Sequence, residues 1–234
     1  MKKLLMITCL ISSALLLISW LPASAEDSDQ KKKNLVDDTY VTVGAGLVTH
    51  FFTKQDDFRK GSISGFNGSD DVNFATGVQA NADFNVNKFL ELNLPVGVNP
   101  GYRFQYIGVT REYTATSLYS NASTKLKQKF NYFNHIGYVD FLFPIGSSKY
   151  LVLGAEAGCG LSTFKYTVSG TGISEKKDSV NGIVIPLGLF LDWGADDFGG
   201  RIGYDYMISK YSKLRGSKPS LDGHQLYVNL RYAF

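Results

Sequence analysis

The side chains best suited to acid–base chemistry are three histidines, His50, His135 and His224. None of them stands in a His-x-Ser arrangement, which would set an imidazole base beside a hydroxyl nucleophile. Ser62 and Ser64 follow His50 in one polar stretch that also carries two pairs of aspartates. Polar residues at a wet rim explain this spacing better than a catalytic site does, so we predict no catalytic residue and no enzyme activity.

The four aspartates of that stretch could supply carboxylate ligands to calcium. They lack the alternating ligand spacing of a calcium-binding loop. Only two cysteines occur, Cys9 and Cys159, and Cys9 falls in a segment that we expect to be removed, which excludes an intramolecular disulfide. The sequence therefore predicts no metal ion and no cofactor. The aspartates are Asp56, Asp57, Asp70 and Asp71.

A second cluster is basic and comes late in the chain. Its four cations fall between residues 210 and 218 with no acid among them. Such a cluster could contact lipid phosphates or anionic glycans, although a solvated loop explains it about as well. The small formal net charge of +3 predicts no nucleic-acid partner. The cations are Lys210, Lys213, Arg215 and Lys218.

The N-terminal segment has the organisation of a secretory signal peptide. Lys2 and Lys3 precede an apolar stretch over residues 4–20, and Ala-Ser-Ala at 23–25 forms a small-x-small cleavage site. We expect export through the Sec pathway with cleavage after Ala25, which removes residues 1–25. Residues 26–38 are charged and aperiodic, as expected of a mobile tail.

From residue 39 onward, apolar and polar side chains alternate with a period of two, the pattern of β-strands. The last ten residues show it most clearly, because residues 226, 228, 230, 232 and 234 are all apolar or aromatic. Eight such segments can be counted, and long connections at 54–72, 110–128, 165–179 and 209–222 alternate with short turns. An even strand number with alternating connections predicts an all-β, antiparallel, up-and-down barrel over residues 39–234 that spans a membrane.

The polar face of these strands decides between a membrane barrel and a soluble sandwich or lipocalin-like barrel. It is rich in glycine, which weakens a solvated strand but makes room in a narrow lumen. It also carries charges of both signs, which can pair in a lumen. Arg103 is expected to join this network. The predicted lumenal residues are Asp83, Glu91, Asp140, Glu156, Asp192, Arg201, Asp205 and Arg231.

On its topology, its face pattern and its terminal phenylalanine, the chain resembles the small eight-stranded bacterial outer-membrane barrels of the OmpA, OmpX and OmpW type. The resemblance implies a bacterial outer-membrane location, with the tail at 26–38 in the periplasm. It also implies that Tyr232 and Phe234 belong to a C-terminal signal read by the outer-membrane assembly machinery. The expected partners are outer-membrane lipids, lipopolysaccharide and an extracellular ligand, and we expect a monomer.

The sequence is compatible with two conformations of one segment and with more than one function. Residues 99–101, Asn-Pro-Gly, either kink one long strand or form a hairpin, which would give ten strands instead of eight. A role in envelope integrity or surface interaction through four loops is favoured. A narrow channel or carrier for small or apolar molecules is the alternative, since Tyr138, Pro186 and Phe190 could leave a cavity beside the glycines. A lipid-modifying enzyme or protease is less favoured.

Overall fold

The computed structural model describes residues 39–53, 66–67, 72–92, 96–117, 123–145, 151–171, 173–195, 197–214 and 217–234. The predicted signal peptide (1–25) and tail (26–38) lie outside these ranges, as do the four aspartates of the first long connection. The described part contains nine strands and one short helix. They are β1 (Val41–Phe52), β2 (Phe66–Asn67), β3 (Phe74–Phe84), α1 (Val86–Phe89), β4 (Gly97–Ser117), β5 (Ser123–Pro144), β6 (Leu151–Gly170), β7 (Ile173–Ala195), β8 (Phe198–Tyr211) and β9 (Gly223–Ala233).

Eight of the nine strands form a closed ring. Sequential strands pair antiparallel from β3 to β9, and β9 pairs with β1, which in turn pairs with β3. The short β2 pairs only with the far end of β4, at Thr116 and Ser117. The predicted up-and-down barrel is therefore confirmed. Closure leaves no strand edge within the ring.

The ambiguous Asn-Pro-Gly segment lies inside β4, where Asn99, Pro100 and Gly101 pair in register with residues 140, 139 and 138 of β5. The hairpin alternative is thus wrong. The chain turns earlier, in a connection over residues 85–96 that contains α1. Leu90 and Leu92, which the alternation placed on a strand, belong to this connection.

The closing pair shows why the final residues alternate as they do. Thr42 of β1 lies opposite Ala233, and Phe52 lies opposite Gly223, in one unbroken register. Alternate residues of β9 from 225 to 233 are buried inside the ring, and those between them are more exposed. Phe234 adds two backbone hydrogen bonds, as its N–H donates to the Val41 carbonyl at 2.8 Å and its own oxygen accepts from Tyr40 N–H at 3.0 Å.

The strands differ in length, and four of them project beyond the barrel on the side opposite Thr39 and Phe234, the first and last described residues, which are called the termini below. Strands β4 to β7 have 20 to 23 residues, whereas β1, β3, β8 and β9 have 11 to 14. Pairing of β3 with β4 stops at Gly108, and pairing of β7 with β8 stops at Gly182. We call the part of β4 to β7 beyond these points the external wall. The predicted loops at 110–128 and 165–179 are wrong, because most of their residues form this sheet.

The polarity of the strands inverts where the wall begins. On β6, Leu153 and Leu161 point outward and are 47% and 67% exposed, whereas further along Phe164 and Tyr166 point inward and are buried. On β5, Phe141 and Phe143 are exposed near the barrel end, whereas Lys125, Lys127 and Lys129 hold the exposed positions in the wall. The outer surface of the ring is apolar, as expected where it contacts lipid, and the outer surface of the wall is polar, as expected where it contacts water. The ring is thus a membrane-spanning barrel.

Within the described ranges, no helix has the length and apolar character needed to cross a bilayer.

Candidate functional site

The lumen of the barrel holds the predicted charged network, centred on Arg201. Its Nε and Nη2 donate to the two carboxylate oxygens of Asp192 at 2.6 and 2.8 Å, and its Nη1 donates to Asp140 at 2.6 Å. Asp192 lies directly opposite Arg201 in the β7–β8 register, which allows the two-pronged contact. The guanidinium carbon also lies 3.6 Å from the ring centre of Phe190. Arg201 is therefore held on several sides.

Two further arginines connect distant strands. Arg231 on β9 donates to Asp192 on β7 and to Asp83 on β3. Arg103 on β4 donates to Glu156 on β6 and, at 2.8 Å, to Asp205 on β8. Strands β4 and β8 are not neighbours in the ring, so the last contact crosses the lumen. All these side chains are at most 5% exposed.

Seven of the eight predicted lumenal residues meet in this network, and Glu91 does not. Glu91 follows α1 in the β3–β4 connection, is exposed, and has a φ of 53°. This left-handed conformation ends the short helix, so the residue has no part in the lumen. Its prediction was wrong because the apolar residues around it imitate a strand.

A layer of amides lies next to the charges, and sequence reasoning singled out none of it as a site. Gln105 Nε2 donates to Gln79 at 2.8 Å and to Gln225 at 3.2 Å, and Gln79 donates to Asn229 at 2.9 Å. Asn134 donates to Gln105 at 3.2 Å. These residues occupy the same inward positions as the charges, so the period of two could have found them. The layer joins β3, β4, β5 and β9 through side chains.

Above the amides, the lumen is filled by an apolar layer. Tyr132 and Phe164 pack with ring centres 4.9 Å apart, and Phe164 and Tyr211 at 6.4 Å. Ile107 and Met207 are fully buried in the same cluster. Ser162 joins this layer to the amides, since its hydroxyl lies 2.5 Å from both Asn134 Oδ1 and Tyr211 Oη.

The lumenal glycines are the counterpart of the large side chains. A methyl group on Gly154 would overlap the ring of Phe190, and one on Gly101 would approach the ring of Tyr138 to 2.6 Å. Phe190 and Tyr138 thus occupy the space that the glycines leave, and Tyr138 donates its hydroxyl hydrogen to Asp83. Both rings are buried among lumenal side chains, so Phe190 and Tyr138 fill space beside the glycines instead of bordering an opening there.

The external wall has two different faces. Its outer face carries five lysines, of which Lys127 pairs with Glu112 at 3.1 Å and Lys177 with Glu175 at 3.2 Å. At the foot of the wall, Lys165 Nζ lies 4.7 Å from the ring centre of Phe133. The outer face is therefore basic and rises directly from the aromatic end of the apolar belt. The lysines are Lys125, Lys127, Lys129, Lys165 and Lys177.

The inner face of the wall is largely apolar and buried on β4, β5 and β6. Arg111 stacks over Tyr113 and Phe130, with its guanidinium carbon 4.7 and 5.5 Å from their ring centres. Arg111 Nε also donates to Gln128 at 2.7 Å. Burial raises the pKa of Tyr113 to about 12, although the nearby Arg111 cation acts in the opposite direction. This packing continues the apolar layer of the lumen into the wall.

The predicted basic cluster lies at the rim beside the wall. Lys210 is an exposed residue of β8, and Lys213 and Lys218 are exposed in the connection to β9. Arg215 lies outside the described residues. Leu214 and Ser217 exchange two backbone hydrogen bonds within this connection. The cluster therefore faces the same side of the membrane as the wall.

The three histidines are not gathered at one site. His135 and His224 lie on the outer surface, each with Nδ1 2.5 Å from a tyrosine hydroxyl, of Tyr102 and Tyr204 respectively. His50 is buried inside the barrel, with its ring centre 4.6 Å from that of Phe52. In the part of the chain that the structure describes, no group of three or more His, Cys, Asp or Glu side chains is placed to hold a metal ion.

Tyr232 and Phe234 lie on the outer surface at the end of the barrel that carries the termini. Their ring centres are 4.8 Å apart, and Tyr232 also lies 5.3 Å from Phe198. The predicted assembly signal is thus an aromatic cluster at the edge of the apolar belt, where interfacial aromatics are expected.

A closed eight-stranded ring with an apolar outer belt, a paired ionic lumen and aromatic ends is an integral membrane β-barrel. No protein-family model matches the sequence, and no curated protein matches it. Among solved structures, the chain is similar to Ail, the attachment invasion locus protein of Yersinia pestis, in complex with the heparin analogue sucrose octasulfate. The TM-score is 0.48 at 14% identity, covering 84% of this chain and 99% of that chain.

Two other similar structures are neisserial surface protein A and the outer-membrane protease OmpT of Escherichia coli. The first has a TM-score of 0.44 at 15% identity and covers 83% of this chain and 97% of that chain. The second has a TM-score of 0.44 at 9% identity and covers 88% and 99%. The strand pairing and the polarity of the chain itself, not these distant likenesses, carry the fold assignment.

Proposed function

We propose that the protein is a non-conducting, non-enzymatic barrel of the bacterial outer membrane that anchors the external wall for interaction with anionic groups at the cell surface. In this proposal the chain is exported through the Sec pathway, loses residues 1–25 and is inserted by the outer-membrane assembly machinery as a monomer. The chain termini face the periplasm and the wall faces outward. Envelope integrity is served by the same contacts with lipopolysaccharide.

The observation that supports the proposal is a lumen filled by contacting side chains, together with a sheet that continues past the barrel. Side chains cross the lumen in successive layers, from the Arg103–Asp205 ion pair to the Gln105–Gln225 amide contact and the Ser162–Tyr211 hydroxyl contact. A narrow barrel filled in this way provides support for the wall and gives no route for solute. Ion flux through purified protein would instead favour the channel alternative.

The outer face of the wall supports contact with phosphate-rich or sulfated groups. Lys165 stands just beyond the apolar belt, at the level where the headgroups of an outer leaflet would lie, and Lys129, Lys127 and Lys125 follow in turn along β5 away from the membrane. Lys125 and Lys129 flank Lys127 on β5, which pairs with β4 on one side and with β6 on the other, so three cations form a row along a central strand of the wall. A row of lysines along one strand can bind several phosphates at once, as point charges with adaptable donors.

The orientation can be tested by labelling cells with a membrane-impermeant maleimide. In a Cys159→Ser background, Thr114→Cys places a thiol on the exposed wall and Glu91→Cys places one in the connection at the opposite end. We expect labelling of position 114 on intact cells and of position 91 only after permeabilisation. The reverse pattern would refute the orientation, and with it the surface role.

The ligand class can be tested with immobilised lipopolysaccharide and folded protein. Replacing Lys125, Lys127 and Lys129 together by glutamine should lower affinity at least about tenfold, given roughly 1 kcal/mol per cation near an anionic surface. The matched control replaces Lys210, Lys213 and Lys218 at the rim. A larger loss in the control would move the contact to the rim cluster, and no loss in either would contradict the anionic-ligand proposal.

A further inference from the structure

The connection between β3 and β4, at the end of the barrel that carries the termini, has its polarity inverted relative to a water-exposed turn. Asn85 and Asn87 are buried, at 3% and 6% exposure, whereas Phe89 and Leu90 are 76% and 57% exposed. Leu92 is also exposed, at 43%. In water this arrangement would place apolar side chains in solvent and cover polar ones. The outer surface of the barrel strands shows the same inversion, with apolar side chains outside and polar ones inside, because the surrounding medium there is lipid.

The connection is firmly attached to the barrel. Asn85 N–H donates to the Tyr40 carbonyl at 3.0 Å, and the Asn85 side chain accepts from Lys88 N–H at 3.1 Å, which caps α1. Asn87 Nδ2 donates to the Val96 carbonyl at 2.8 Å, and Leu92 N–H donates to the Asn87 carbonyl at 2.8 Å. These contacts fix Phe89 and Leu90 on the outside.

An apolar groove lies between this connection and the first barrel strand. It has a volume of about 640 Å³ and is lined by residues that include Tyr40, Val41, Phe84, Phe89 and Leu90. Phe84 is 55% exposed on the outer surface of β3, so the groove opens onto the apolar belt of the barrel. Its size and lining suit a hydrocarbon chain.

A cation stands at the groove. Lys88 Nζ lies 5.5 Å from the centre of the Tyr40 ring, and this ring is itself part of the groove lining. An ammonium beside an apolar groove at a membrane interface matches a phosphate group attached to acyl chains, since headgroup and hydrocarbon lie in this order from water inward.

We propose that this groove seats an acyl chain of a glycerophospholipid in the leaflet on the side of the termini, with Lys88 at the lipid phosphate. The connection then acts as an interfacial wedge that widens the apolar belt on one side of the barrel. The continuity of the groove with the belt favours lipid over a protein partner, and Lys88 favours an anionic headgroup. This site lies at the end opposite the external wall, so it does not depend on the proposed surface function.

The proposal can be tested by fluorescence quenching in vesicles containing brominated phosphatidylcholine. In a Trp193→Phe background, Phe89→Trp places the reporter in the groove. We expect its emission to fall at least about twofold relative to non-brominated vesicles, since an interfacial helix buries its apolar face about 5–10 Å into the bilayer. Leu189→Trp, in the middle of the belt at a position 60% exposed, is the positive control, and Thr114→Trp on the wall is the negative control.

Heat-modifiable gel mobility establishes that each tryptophan variant is folded, and Leu90→Trp replaces Phe89→Trp should the latter fail. Quenching at the groove that equals the Thr114→Trp value would overturn the proposal. Quenching that appears only after deletion of residues 26–38 would also overturn it, because the groove would then belong to the tail.

The headgroup contact has a separate test. Competition between brominated phosphatidylcholine and unbrominated phosphatidylglycerol gives the preference of the groove for an anionic lipid. Lys88→Gln should lower this preference about fivefold, the equivalent of one cation near an anionic surface, whereas Lys177→Gln on the wall should leave it unchanged. An unchanged preference in Lys88→Gln would remove Lys88 from the site.

Discussion

Replacing Arg201 by methionine tests whether the lumen is held by compensated charges. Methionine keeps an unbranched side chain over Phe190 but removes three charge-assisted hydrogen bonds, two to Asp192 and one to Asp140. Asp192 keeps its contact with Arg231, whereas no second ion pair to Asp140 is found among the described residues. A buried carboxylate left without its cation costs about 3–5 kcal/mol, and we expect a loss of that size in the free energy of unfolding.

The measurement is urea unfolding of the folded barrel in vesicles, followed by tryptophan emission and gel mobility. Adding Asp140→Asn to Arg201→Met should recover part of the loss, because the second change removes the carboxylate that the first one leaves uncompensated. The matched control is Lys127→Met on the wall, which breaks an exposed ion pair worth at most about 1 kcal/mol. The reasoning is refuted if Arg201→Met costs no more than Lys127→Met, or if Asp140→Asn deepens the loss.

Three further predictions concern the lumen, the belt and the chain end. Gly154→Ala should cost about 1–3 kcal/mol in unfolding free energy, because the added methyl group would overlap the Phe190 ring. Gly137→Ala should cost under about 0.5 kcal/mol, because its added methyl group would meet nothing closer than 3.9 Å. Equal costs for the two variants would contradict the packing of Phe190 against Gly154. Cys159, exposed on the belt, should react in vesicles with a membrane-soluble maleimide and stay protected from a charged thiol reagent. Deleting Phe234 should lower the yield of assembled barrel more than Phe234→Ala does, since only deletion removes the two backbone hydrogen bonds that this residue makes with β1 and Tyr40. Equal yields would assign the defect to loss of the phenylalanine side chain alone.

The alternation of side chains was sufficient to predict seven of the eight residues proposed for the charged network of the lumen. Asp192 and Arg201 were both assigned inward from sequence, and the structure places them opposite each other. Partner choice was not predictable, because Arg103 reaches Asp205 on a strand that is not its neighbour. That contact depends on the stagger of the strands around the ring, which the period of two does not encode.

The external wall was missed for a different reason. Residues 125–130 read Lys-Leu-Lys-Gln-Lys-Phe, a regular alternation, but their apolar members occupy the inward phase instead of the outward phase of the same strand. Prediction of lipid-facing strands looks for apolar residues in one constant phase, so the segment looked like a polar loop. Once the outer medium is water, the sheet must bury its apolar side inward. The change of phase was therefore the available signal for the edge of the membrane.

Glu91 shows the opposite failure at the other end of the barrel. Leucines at 90 and 92 on either side of Glu91 imitate a lipid-facing strand, and they do face outward, but from the connection that holds α1. A strand and an interfacial wedge expose apolar side chains for the same physical reason, contact with hydrocarbon, so composition alone does not separate them. Geometry separates them through Asn85 and Asn87, which turn inward to backbone partners that a strand residue would not need. The apolar residues after β3 thus indicate that this segment contacts lipid, but they do not indicate whether it is a strand or a helix-containing connection.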